Sequence, residues 1–158
     1  MADTPAPPRR SAVDAALLLT LLAFAATSLL FDRAAALDWV GPDTADPFGR
    51  ALYHYAMRFD PLVADNPLFL RVMSGISAFV FGPFYLWAAH ALRRGDPRLH
   101  GAALVYMVAM EYSMLVHIAV ELWGELPPPD LLVFALVYAP YCILPVALWR
   151  RTRPAAPA

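Results

Sequence analysis

Four apolar stretches divide the chain, and each is long enough to cross a lipid bilayer. A hydrocarbon core about 30 Å thick asks for roughly 20 mainly apolar residues per helix. The stretches run over about 15–31, 72–92, 101–123 and 131–149, and the second, from Val72 to Leu92, contains no Asp, Glu or Arg. Inside lipid a backbone must satisfy its own polar groups, so spans of this kind are helices. The expected fold is an all-α integral membrane protein, a bundle of four transmembrane helices. One membrane domain over 12–150, flanked by tails at 1–11 and 151–158, accounts for the sequence, and the Pro-, Ala- and Arg-rich first tail reads as disordered. Charged residues make up 16% of the chain, against roughly 25% in soluble domains.

The links between the spans carry most of the charge. From Asp32 to Pro67 there are six Asp and four Pro, and within that loop Phe48, Leu52, Tyr55 and Phe59 recur at helical spacing. A short helix lying at the membrane surface fits this pattern. Arg9, Arg10, Arg93, Arg94, Arg98, Arg150, Arg151 and Arg153 flank one set of span ends, whereas Arg33, Arg50 and Arg58 are in the acidic loop and Arg71 at the helix end after it. Positive charge stays inside, so the N and C termini are expected in the cytoplasm. All twelve basic residues are Arg. With abundant Ala and Pro this suits a GC-rich bacterial gene and an inner membrane, or the endoplasmic reticulum membrane if the source is eukaryotic. The net charge of −1 leaves no basic face for nucleic acid. Cys142 is the only cysteine; it reads as a packing residue, and no metal or cofactor is expected.

The candidates for chemistry are acids at unfavourable depths. All three Glu, Glu111, Glu121 and Glu125, lie on or just after the third span. At 1.5 Å per residue Glu111 falls near mid-membrane, with Glu121 about 15 Å further along. An acid at that depth costs about 2.5 to 3.5 kcal/mol on insertion scales, and such groups face a bundle interior or a cavity. His117 and Glu121 are one helical turn apart on one face, where they can share a proton. Asp32 closes the first span. Tyr138 and Tyr141 flank Pro140 in the fourth, where aromatic faces can hold a cation or a flat apolar ligand. Pro140 is expected to bend that helix.

Three segments carry a resemblance. VYAPYCILP (Val137 to Pro145) resembles the closing helix of the sigma-2 receptor, and YAMRFDPLVADNP (Tyr55 to Pro67) the loop before that receptor's second helix. FGPFYLWAAHAL (Phe81 to Leu92) resembles a helix of the emopamil-binding protein, a sterol double-bond isomerase. Their order, over roughly Ser28 to Arg150, resembles the EXPERA superfamily, to which both proteins belong. The resemblance implies a cation-pairing acid at Asp32 and a second loop acid at Asp60. Ser77 and about Ser74 stand where the relatives have a second-helix Glu, and Ser28 where the isomerase has a catalytic His. Tyr141 stands for an aromatic Trp, and Glu121 for a third-helix acid; Glu111 has no counterpart.

Three functions fit these residues. The first is a binding protein for a lipophilic small molecule, whether sterol-like, isoprenoid or a cationic amphiphile, in a cavity within the membrane. Its ligand would meet Asp32, Asp60, Ser77, Glu111, His117, Glu121, Tyr138 and Tyr141. The second is a double-bond isomerase with Asp32 and Glu111 as its catalytic acid and base. The third is a structural partner of another membrane protein, with Glu111 as a polar contact between helices. Contacts with membrane lipid are expected in each, and a homodimer is left open. The first two readings require Asp32, Glu111 and Tyr141 around one cavity.

Overall fold

The computed structural model describes residues 11–154. Four helices long and apolar enough to cross a membrane, α1 (Ala12–Ala36), α4 (Leu68–Arg94), α5 (Arg98–Trp123) and α6 (Leu131–Arg151), form an all-α bundle. Two short helices, α2 (Pro47–Phe59) and α3 (Pro61–Asp65), lie between α1 and α4. The surface helix expected around Phe48 to Phe59 is α2.

The spans exceed their apolar stretches because polar residues at their ends find partners. α1 continues past Asp32 and Arg33 because Asp32 bonds to α4 and Arg33 pairs with Asp46 at 3.0 Å. α4 begins at Leu68, after Pro67. Ser11, assigned above to the first tail, caps α1 in a reciprocal capping box with Asp14. The rest of that tail, 1–10, lies outside the described residues, as does 155–158. Arg151 belongs to α6, where its guanidinium grips Asp14 through Nε at 2.7 Å and Nη2 at 2.9 Å. This bidentate pair joins the start of α1 to the end of α6, so both lie at one face of the bundle. α6 continues unbroken through Pro140 and Pro145.

Packing divides the bundle into halves. At the Arg-rich end Leu17, Leu21, Tyr85, Ala88, Leu99, Ala103, Leu144 and Leu148 form a closed core. Here the Tyr106 hydroxyl donates to that of Tyr85 at 3.2 Å. Large residues such as Leu19, Val105, Leu115 and Leu136 face outward, as lipid contact requires. At the other end α2 and α3 close over the bundle. Gly49 makes that closure close-fitting, because a Cβ there would collide with the Trp39 carbonyl oxygen.

Two of the loop acids cap helices, and a third pairs with an Arg. Asp46 caps α2 through Phe48 N and Gly49 N, and Asp38 pairs with Arg71 at 3.0 Å. Asp60 caps α3, accepting from Val63 N at 3.2 Å.

Candidate functional site

A cavity of about 530 Å³ occupies the half of the bundle beneath α2 and α3. Its size is that of a small-molecule site. Most of its wall is apolar, from Phe31, Leu52, Val63, Leu70, Met73, Ile76, Phe81, Met110, Met114 and Val137. Polar groups converge on it from two sides.

The first cluster depends on two turns of π-helix, Ser28–Asp32 in α1 and Ser77–Phe81 in α4. Pro83 explains the second turn: it has no N–H, and its ring crowds the carbonyl one turn earlier. The helix widens, and Gly82 N–H bonds back to Ser77 O. Single π turns of this kind recur at functional sites. Gly82 also permits close approach, since a Cβ there would stand 2.9 Å from Leu29 Cδ2. The two turns pack together, and Ser77 Oγ donates to Asp32 Oδ2 at 2.6 Å. With that proton committed, the buried Ser28 donates to Ser77 Oγ at 3.0 Å. Arg33, the next residue, turns away to Asp46. No Arg lines the cavity among the described residues, so Asp32 faces it without a basic partner.

The second cluster joins α5, α6 and the cover. Tyr138 Oη donates to Asp60 Oδ2 at 2.6 Å, and the rings of Tyr138 and His117 stand 4.6 Å apart. His117 Nε2 lies 3.5 Å from Glu121 Oε1, too far for a well-formed hydrogen bond. The Glu121 carboxyl stands beside that of Asp60. Burial pushes the Tyr55 phenol above its ordinary pKa, with the charges of Asp60 and Glu121 adding to the effect. Tyr141 completes the wall, stacked on Phe24 at 4.3 Å.

Of the residues singled out from sequence, Asp32, Ser77, His117, Tyr138 and Tyr141 line the cavity, while Asp60 and Glu121 lie just behind it. Glu111 does not line it. The α5 wall comes from Met110, Ser113, Met114 and His117, one helical face that does not include Glu111. The expected grouping of Asp32, Glu111 and Tyr141 therefore loses its middle member. Sequence reasoning missed Tyr55, Ser113 and the role of Ser28. The spacing of Ser113 and His117, one turn apart, was a usable signal.

A family model for EBP, described as EXPERA (EXPanded EBP superfamily), matches residues 47–152. The chain belongs to this superfamily. Comparisons with curated proteins and with solved structures give no match. The matched stretch covers α2 to α6 and so includes every wall of the EXPERA cavity except that of α1. Ser28 and Asp32 lie before it.

Proposed function

We propose that this EXPERA protein binds a sterol-like, isoprenoid or cationic amphiphilic molecule in the membrane-embedded cavity. The observation that carries the reading is Asp32, a carboxyl on an apolar wall whose side-chain neighbours are the hydroxyls of Ser28 and Ser77 rather than a cation. A ligand ammonium supplies the missing charge, and the apolar wall takes the rest of the molecule. Asp32→Asn keeps the shape and a partner for Ser77 but removes the charge. It should cost a cationic amphiphile about 1.5 to 3 kcal/mol, tenfold or more in affinity, and a neutral ligand of the same shape much less. Equal losses for the two ligands would sink the idea.

A second reading, a double-bond isomerase, is favoured by one specific feature: Asp32 and His117 both line the cavity. Moving a double bond requires protonation at one carbon and loss of a proton from another, hence two proton-carrying groups facing one ligand. Asp32 and His117 fit those roles better than the expected pair of Asp32 and Glu111. An unsaturated sterol recovered from the purified protein in deuterated water, with its double bond moved and deuterium incorporated, would establish catalysis.

A further inference from the structure

Binding of a cation at Asp32 leaves the second polar wall without a purpose. Asp32 reaches the cavity from α1, whereas His117 and Tyr138 line it from α5 and α6. His117 is 3% exposed; its Nε2 stands toward Glu121 Oε1 at 3.5 Å, and neither that nitrogen nor the Glu121 carboxylate oxygens have a hydrogen-bond partner among the described residues. Tyr138 has committed its proton to Asp60, so its oxygen can only accept a further hydrogen bond. Asp60 and Glu121 are 1% and 0% exposed and stand behind the wall, not in it.

A ligand group arriving here meets an imidazole and a phenolic oxygen, with no carboxylate at the surface. A hydroxyl both donates and accepts, so it can serve the two together. A ligand carboxylate would face the phenolic lone pairs with two acids behind them. An ammonium has the directly exposed carboxylate of Asp32 instead. The geometry points to a second subsite at His117 and Tyr138 that takes a hydroxyl, so that the ligand is an amphiphile with an amine at one end, a hydroxyl at the other and an apolar body between. Phe31, Phe81, Met110 and Met114 are among the residues that accommodate that body. The inference rests on the reading of Asp32 as the cation-binding acid.

The test is equilibrium binding to the purified full-length protein of alkylamines, α,ω-amino alcohols and α,ω-diamines, matched over a graded series of chain lengths. A terminal hydroxyl makes transfer out of water less favourable, so a preference for it requires a polar partner. The best amino alcohol should bind roughly fivefold more tightly than its alkylamine, the worth of about one hydrogen bond. His117→Phe should abolish that preference, read as the ratio of amino-alcohol to alkylamine affinity within the same variant; His117→Leu serves if the Phe variant does not fold. Asp32→Asn should weaken both ligands and preserve their ratio. The subsite is overturned if no chain length shows the preference, if the His117 variant retains it, or if diamines bind more tightly than amino alcohols. If Asp32→Asn leaves alkylamine affinity unchanged, the cation site itself fails.

Discussion

Asp32 and Asp60 are both acids inside the bundle, and their neighbours give them different work. Both Asp60 oxygens are occupied, by Tyr138 Oη and by Val63 N. Asp32 accepts from Ser77 and otherwise faces the cavity. Glu111 makes the contrast a third way, since it is deep in the membrane but off the cavity wall. Glu111→Gln is therefore expected to change the affinity of a cationic amphiphile by no more than about 0.5 kcal/mol, roughly twofold, in the same assay that reads Asp32→Asn. A larger loss confined to the cationic ligand would return Glu111 to the site. Depth was legible in the sequence, because it needs only a count along an apolar run. Facing was harder to read: one residue turns the helix by about 100°, and α5 is largely apolar all round, so only the Ser113–His117 spacing separates Met110, which lines the cavity, from Glu111, which does not.

At the scale of elements, the two π turns bring Asp32, Ser28 and Ser77 together. The spans themselves were legible from apolar length, and α2 from its spacing of aromatic residues. The π turns were not, because Pro83 could equally mark a kink, and no Pro or Gly in α1 marks the turn at Ser28–Asp32. Pro83→Ala restores the missing N–H and removes the clash that favours the wider turn. A regular α4 would rotate Ser77 by about 100° relative to the helix beyond it, taking its hydroxyl from Asp32. We expect Pro83→Ala to weaken a cationic amphiphile several-fold, with Ser77→Ala costing nothing more in that background, since both changes remove one interaction. Binding measured on the two single variants and the double variant decides this. Additive losses would mean that Pro83 acts elsewhere.

For the whole molecule, the hollow and packed halves of the bundle coincide with the division of charge. The packed half lies at the end marked by Arg93, Arg94, Arg98, Arg150 and Arg151, and the cavity beneath the acidic segment that holds Asp38, Asp43, Asp46 and Asp60. The Asp14–Arg151 pair places the start of α1 and the end of α6 on the same face. Six Arg at that face among the described residues, Arg93, Arg94, Arg98, Arg150, Arg151 and Arg153, against four on the other, Arg33, Arg50, Arg58 and Arg71, predict that it is cytoplasmic. The cavity's cover then faces the periplasm or a lumen. Asp43 is exposed there, and Cys142 is the only native thiol. In a Cys142→Ala background, Asp43→Cys should react in intact bacterial cells expressing the protein with a maleimide that cannot enter the cytoplasm, while a reporter fused after Ala158 should be active only as a cytoplasmic fusion. Protection of the introduced thiol in intact cells with labelling after lysis, together with a reporter active outside the cytoplasm, would invert the molecule and place the cavity's cover inside.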